Sequence, residues 1–249
     1  MYGWKGRIGL LIPHRNTTME PEFHRMIPKG VSVHAARMLL EEPSPNALAA
    51  MEEEIYRSAQ IISAVDPDVI VVGCTSGSLI KGFGYDNQVI EKITNLTNLP
   101  AITTATAVID AFKRLNIRKV AVATPYIEEV NQKEKEFIEN QGISVTAIKG
   151  LGYCKPTVSY PLAPRPVSGI GLLYPSVAYR LARDVDTPDA GGIFISCTNF
   201  RTIEIIEELE INSNKPVVSS NQASMAMALH KMGIKERIEG FGSLFEKYA

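Results

Sequence analysis

Two cysteines occupy matching places in this chain, each at the end of an apolar run. Cys74 follows the run 68–73, and Cys197 follows the run 191–196. Such runs are typical of buried parallel strands, and open α/β sheets bind ligands beyond the carboxyl ends of those strands. A single cysteine there could simply fill the core, whereas two at matching positions predict a catalytic pair. Such a pair could work as a nucleophile with a partner, or as two acid-base groups.

Polar side chains follow both cysteines. Thr75 and Ser76 come after the first, and Thr198 and Asn199 come after the second. If each Cys-Thr pair opens a helix, its free N–H groups and positive dipole end would favour thiolate and hold a substrate carboxylate nearby. Nucleophile, base and anion site would then coincide.

Strand patterns alternate with helical patterns along the whole chain, which favours βαβ units and parallel sheets. We predict an α/β fold of two pseudo-symmetric lobes, each a four-stranded, mainly parallel sheet flanked by helices, with the active site between them. The first lobe comprises 1–116, joined by C-terminal helices at 222–249, and the second comprises 117–221. The predicted strands are Arg7–Pro13, Ser32–Leu39, Asp68–Cys74 and Ala101–Thr104 in the first half, and Lys119–Thr124, Ser144–Lys149, Gly191–Cys197 and Pro216–Ser219 in the second.

Start signals and apolar spacing mark the helices. Ser44 and Pro45 predict a helix start, because serine caps helices and proline suits the first helical position. Thr202 is a candidate cap for a helix after the second cysteine. Two closing helices are predicted at Met225–Met232 and Arg237–Tyr248, the last of them packing back on the first lobe.

Other strand ends add polar groups at the same edge. Asn16 follows the first strand and can donate two hydrogen bonds to a carboxylate, and Thr17 or Thr18 could cap the next helix. Tyr126 follows the matching strand of the second half, where its hydroxyl could stabilise an enolate or carboxylate. Two weaker candidates come from the fourth strands, at 103–104 and 219–221.

Composition restricts the partners. The chain has 249 residues and a formal net charge of -1, which is unlike the basic footprint of nucleic-acid binding. It shows no nucleotide-binding glycine fingerprint after a strand, and its four histidines show no metal-ligand spacing. We therefore expect no cofactor and no metal, no membrane partner, and a cytoplasmic location.

Three features stay outside the predicted site. The proline-rich stretch 153–175 is a candidate lid over the cleft, although a surface excursion or subunit contact fits it equally well. Cys154 has no counterpart in the first half and is interpreted as a loop thiol. His14 stands at a strand end but is not included among the catalytic residues.

The chain resembles the aspartate/glutamate racemase superfamily, in which each of two facing lobes contributes a cysteine. Within it, the chain is most similar to the maleate isomerase and arylmalonate decarboxylase family. The motifs that carry this resemblance span nearly the whole chain and are Pro13–Glu20, Gly73–Ser76, Thr124–Tyr126 with Val130-Asn131, Ser196–Thr202 and Ser219–Gln222.

The resemblance implies roles for the candidate residues. Cys74 would be the nucleophile or first acid-base group, and Cys197 the opposing proton donor or acceptor. The groups that would bind carboxylate or stabilise an enolate-like intermediate are Asn16, Thr75, Ser76 and Tyr126. A small mono- or dicarboxylate is the expected substrate, and association into a homo-oligomer is plausible from the superfamily.

Maleate-to-fumarate isomerisation is the favoured function. The decarboxylases of the family have glycine where this chain has Cys74, which weighs against decarboxylation. A racemase with two cysteine bases is the main alternative, and a carboxylate-binding protein on an old enzyme scaffold is another. One departure concerns substrate identity: maleate isomerases supply a further asparagine shortly after the strand predicted at Ser144–Lys149, whereas this chain has the proline-rich stretch.

Overall fold

Two parallel sheets with the same strand order organise the molecule. The computed structural model describes residues 1–40, 44–153 and 169–248. Within these residues the sheet orders are β2-β1-β3-β4 and β6-β5-β7-β8. All neighbouring strands are parallel, which confirms the predicted fold class. The strands are β1 (Gly6–Pro13), β2 (Val31–Met38), β3 (Val69–Val72), β4 (Ala101–Thr103), β5 (Lys119–Thr124), β6 (Ser144–Gly150), β7 (Gly192–Ile195) and β8 (Val217–Ser219).

The inner strands are apolar throughout because helices cover both of their faces. On β1, Ile8, Leu10 and Ile12 enter one buried cluster, and Leu11 between them enters another. The first cluster continues into the second sheet through Val120 and its neighbours, so the two lobes share a core.

Helices fill the connections between strands. They are α1 (Met19–Met26), α2 (Pro45–Ala50), α3 (Glu52–Ser63), α4 (Thr75–Leu79), α5 (Tyr85–Thr97), α6 (Thr104–Arg114), α7 (Glu128–Asn140), α8 (Pro175–Val185), α9 (Ile206–Ser213) and α10 (Ser220–Lys231), with short 3-10 helices at Ile170–Leu172 and Ser243–Lys247. The predicted cap at Ser44 is confirmed, since its hydroxyl accepts a hydrogen bond from the backbone N–H of Ala47. None of the described helices is long and apolar enough to cross a bilayer.

Two helix predictions were wrong. Thr202 does not cap a helix: its N–H donates to the carboxylate of Glu22, and α9 begins only at Ile206. The predicted closing helix Arg237–Tyr248 is a loop followed by one 3-10 helix. Gly240 and Gly242 both adopt positive φ there, which breaks a helical path.

The C-terminal segment packs on the first lobe through α6. Helix α10 lies against α6, and the hydroxyl of Tyr248 donates to the carboxylate of Asp110. Arg114 stacks over the Tyr248 ring, with its guanidinium carbon 4.1 Å from the ring centroid. The chain therefore crosses back after β8 and ties the second sheet to the first.

Candidate active site

The two cysteines lie just beyond the carboxyl ends of equivalent inner strands. Cys74 follows β3 and Cys197 follows β7. Both are buried, at 5% and 8% exposure. They are close enough for a charge on Cys74 to raise the pKa of Cys197. The structure thus brings the predicted pair together in one enclosed place.

Cys74 immediately precedes a short helix. It is the N-cap residue of α4, as predicted, with extended backbone angles. Burial raises the pKa of its thiol to about 11, although the backbone N–H of Gly77 and the side chain of Ser76 act to lower it. Burial thus raises the pKa of Cys74 more than the groups at the helix start lower it, and the thiol is protonated at neutral pH.

Cys197 has a different backbone. Its φ is +95°, a conformation that non-glycine residues rarely adopt. The chain turns after it, with the N–H of Phe200 donating to the Cys197 carbonyl, so the predicted helix start at this cysteine is wrong. Burial raises the pKa of this thiol to about 12, while the N–H of Asn199 and the hydroxyl of Tyr126 act to lower it.

Tyr126 reaches the second cysteine from the end of β5. Its side chain is buried, and its hydroxyl is close enough to Cys197 to lower the pKa of that thiol. Burial and the nearby thiols hold the pKa of Tyr126 well above its ordinary value, so the hydroxyl remains a donor. Its role in stabilising an enolate or carboxylate stays a prediction.

Ser220 connects the two cysteine segments. The N–H of Cys197 donates to its hydroxyl oxygen at 3.1 Å, and the hydroxyl of Thr75 donates to the same oxygen at 2.8 Å. One side chain at the start of α10 therefore fixes residues from both lobes. The sequence flagged Ser220 only weakly, as one of several polar residues after the last strand.

The predicted binding residues Asn16, Thr198 and Asn199 form a clasp between the lobes. Asn16 donates to the Thr198 hydroxyl at 3.0 Å, and that hydroxyl donates to the Gly73 carbonyl at 3.0 Å. The side-chain oxygen of Asn199 accepts the N–H of Thr17 at 2.9 Å. Part of the hydrogen-bonding capacity of these side chains is thus used to align the two cysteine segments.

Asn16 also starts α1. Its side-chain oxygen accepts the N–H groups of Thr18 and Met19, each at 3.0 Å. Thr18 is the N-cap residue of α1, but its hydroxyl donates to the Asn199 carbonyl and makes no capping hydrogen bond, so the predicted cap by a threonine side chain was wrong. Asn16 therefore keeps one N–H outside these contacts.

Glu22 is a buried carboxyl that the sequence analysis missed. It is 3% exposed and accepts hydrogen bonds from the N–H groups of Thr202 and Ile203 and from the side chain of Asn221. Burial raises its pKa to about 7. Its place on the apolar side of α1 was visible in the sequence, but its partners lie some 180 residues away in the chain.

The remaining predictions concern regions with less to report. Residues 154–168, which include Cys154 and most of the proposed lid, lie outside the described residues. The 3-10 helix after them packs its Gly171 against Thr17 and Asn199, beside the clasp. Among the described residues, no group of three or more His, Cys, Asp or Glu could hold a metal ion.

Comparison with known proteins defines the class. The sequence profile of the arylmalonate decarboxylase family matches residues 8–245. The chain belongs to this family, which confirms the resemblance drawn from its motifs.

Two characterised relatives align over almost the whole chain. Maleate isomerase of Geobacillus stearothermophilus is 25% identical over 252 residues, covering 96% of each chain. Arylmalonate decarboxylase of Bordetella bronchiseptica is 28% identical over 243 residues, also covering 96% of each. Both reactions named in the predicted family are thus represented at similar distance.

Solved structures share the fold. Maleate isomerase Iso from Pseudomonas putida S16 superposes with a TM-score of 0.90 at 24% identity, covering 98% of this chain and 99% of that one. A cysteine-to-serine mutant of Nocardia farcinica maleate cis-trans isomerase, carrying a covalently bound succinylcysteine intermediate, superposes with a TM-score of 0.87 at 22% identity, covering 96% and 98%.

Replacing Ser220 by alanine tests the bridge between the cysteine segments. The change leaves the Cys197 N–H and the Thr75 hydroxyl without their buried partner, so we expect a loss of roughly 1–3 kcal/mol in the free energy of unfolding. Both cysteines should also react faster with iodoacetamide. Ser224→Ala is the matched control on the same helix, because Ser224 is buried but bonds Thr104 and the Ser220 carbonyl. Equal alkylation rates in the two variants would contradict the bridge.

Replacing Glu22 by glutamine tests its titration. The folded protein holds the Glu22 proton to about pH 7, whereas the unfolded chain releases it near pH 4.5. Stability from this group is therefore complete below pH 4.5 and lost as pH rises through 7. The free energy of unfolding of the native protein should therefore fall between pH 5 and pH 8, and in Glu22→Gln this fall should be smaller by roughly 2 kcal/mol. Urea unfolding at both pH values measures this, and exposed Glu53→Gln should leave the difference unchanged.

Proposed function

We propose that this chain catalyses the cofactor-independent cis-trans isomerisation of a small cis-dicarboxylate, maleate to fumarate, through addition of Cys74 to the double bond. The observation that carries the proposal is the enclosed pair of thiols at equivalent strand ends, with Cys74 present where the family's decarboxylases have glycine. Maleate isomerases are among its full-length relatives, which confirms the predicted enzyme class.

In the proposed reaction the S–H of Cys74 adds across the double bond. The sulfur bonds to one alkene carbon, and the π electrons pass to the neighbouring carbon, where the adjacent carboxylate accepts them as an enediolate. Cys197 gives its proton to that carbon and receives the proton lost by Cys74. The former double bond is then a single bond and rotates.

The reverse steps release product. Cys197 removes a proton from the same carbon, the double bond re-forms, and the Cys74 sulfur leaves with the proton returned to it. The succinylcysteine seen in the Nocardia enzyme has the composition expected of such an adduct. Both thiols end the cycle protonated, as burial requires of them in the free protein.

The polar groups of the site suit the charge that develops. Tyr126 remains protonated and lies beside Cys197, so its hydroxyl can donate to an enediolate oxygen. We assign carboxylate binding to Thr75, Ser76 and the second side-chain N–H of Asn16, which makes none of the contacts described above. Thr198 and Asn199 would line the side of the site that the second lobe contributes.

A racemase is the second candidate, and the equivalent placement of the two thiols favours it. Two acid-base groups on opposite faces of a carbon next to a carboxylate could remove a proton on one side and return one on the other. Such an enzyme would place deuterium from solvent on the α-carbon of its substrate.

Proton NMR of maleate in deuterated buffer tests the proposal. Fumarate should form with the native protein, and Cys74→Ser should slow its formation by roughly three orders of magnitude or more, because no nucleophile remains. Cys197→Ser should retain binding but also lose most turnover. Cys154→Ser is the control for loss of a thiol as such and should stay active.

Two results would contradict this assignment. Most turnover retained in Cys74→Ser would remove it as the nucleophile. No fumarate from maleate, together with α-deuteration of another carboxylic acid, would move the function to racemisation.

A further inference from the structure

A second buried carboxyl, Glu134, lies behind Cys197 and has no part in the steps above. Glu134 is on α7 and is 1% exposed. The hydroxyl of Ser196, the residue before Cys197, donates to one of its oxygens at 2.6 Å. The other oxygen is buried and has no hydrogen-bond partner among the described residues. A carboxyl held in this way exerts its charge on its neighbours with little screening.

The first lobe has a different arrangement at the equivalent place. Gly73 stands before Cys74 where Ser196 stands before Cys197, and a Cβ on Gly73 would come within 2.5 Å of the sulfur of Met19. Met19 lies on α1, the helix that follows the first strand of its lobe, just as α7 follows β5. The residue before Cys74 therefore lies next to the thioether of Met19, whereas the residue before Cys197 carries a hydroxyl that is bound to the Glu134 carboxyl.

The groups that face Glu134 come from two strand ends. Burial is the largest cause of the raised pKa of Cys197, and a charge on Cys74 and then the charge on Glu134 raise it further. For Tyr126 the order is burial, a charge on Cys197, and then Glu134. The elements packed against α7 are β6 and α4. The charged residue of β6 is Lys149, which pairs with Asp184 at the surface, and α4 carries none. No cation on these elements therefore neutralises the carboxylate.

We propose that Glu134 is a positioning residue that holds Cys197 as the protonated thiol, and so assigns the proton-donor role to Cys197 and the nucleophilic role to Cys74. The assignment of roles rests on the function proposed above. A negative charge behind Cys197 disfavours its thiolate, whereas Cys74 has no carboxylate behind it. Burial raises the pKa of Glu134 to about 7, so its charge is present above neutral pH.

Alkylation by iodoacetamide tests the proposal without any substrate. Glu134→Gln keeps the size and the acceptor for Ser196 but removes the charge. Cys197 is followed in a Cys74→Ser background and Cys74 in a Cys197→Ser background, with peptide mass spectrometry to separate both from Cys154. We expect the pKa of Cys197 to fall by about one unit. Its alkylation should then be about threefold faster at pH 8.5, since the weaker nucleophilicity offsets part of the gain in thiolate.

Controls separate charge from loosened packing. The Cys74 rate should not change in Glu134→Gln, and Glu134→Asp, which keeps the charge, should return the Cys197 rate toward its original value. Glu136→Gln removes an exposed charge from the same helix and should change neither rate. An equal rise at both cysteines, or no rise at Cys197, would overturn the proposal.

A measurement on the native residue covers the case in which Glu134→Gln does not fold. As pH rises from 6 to 8, ionisation of Glu134 raises the pKa of Cys197, so its alkylation rate should climb less than tenfold per unit while that of Cys74 climbs about tenfold. Parallel profiles would refute the role. Fumarate formation is scored separately, so failure of the isomerase proposal and failure of the Glu134 proposal give different results.

Discussion

Each lobe ends its parallel sheet in polar side chains whose hydrogen-bond partners lie in the other lobe. Thr198 joins Asn16 to the carbonyl of Gly73, and Ser220 joins Thr75 to the N–H of Cys197. Buried donors and acceptors without partners cost about 1–3 kcal/mol each, so the lobes are stable together only in the orientation that satisfies these groups. That same orientation brings the two thiols together, so the geometry of the candidate site and the packing of the lobes depend on one set of contacts.

Burial of the site also sets the resting state of its chemistry. Both thiols have raised pKa values, because burial removes the water that would stabilise their thiolates. In the proposed mechanism a thiolate therefore forms only when substrate is bound, through transfer of its proton within the site. An enclosed pair suits this transfer, since a proton that leaves one sulfur can be delivered to substrate by way of the other. The resting thiols are also less reactive toward other electrophiles, because the thiolate is the nucleophilic form.

The sequence was most informative where a pattern is local and least informative where partners are distant. Strand ends and both cysteines followed from apolar runs, which arise because helices cover each inner strand on both sides. At Thr202 the chain makes a turn before α9, and the Thr202 N–H binds Glu22, a partner far away in the chain that local patterns do not show. The backbone conformation of Cys197 could likewise not be predicted from sequence, because an identical Cys-Thr pair precedes a helix in one lobe and a turn in the other. Local signals cannot report which of two conformations the opposite lobe stabilises.

The duplicated fold gives two equivalent cysteines, and a useful catalyst for addition needs them to differ. The residue that follows each cysteine is a threonine, so Thr75 and Thr198 alone do not distinguish the two sites. On the proposal above, the residues that precede the cysteines distinguish them: Gly73 lies next to Met19 in the first lobe, whereas Ser196 is bound to the Glu134 carboxyl in the second. A buried charge acts over several ångströms, so it can bias one thiol without touching the sulfur. On the proposed mechanism, a duplicated fold with two equivalent cysteines can in this way distinguish nucleophile from proton donor.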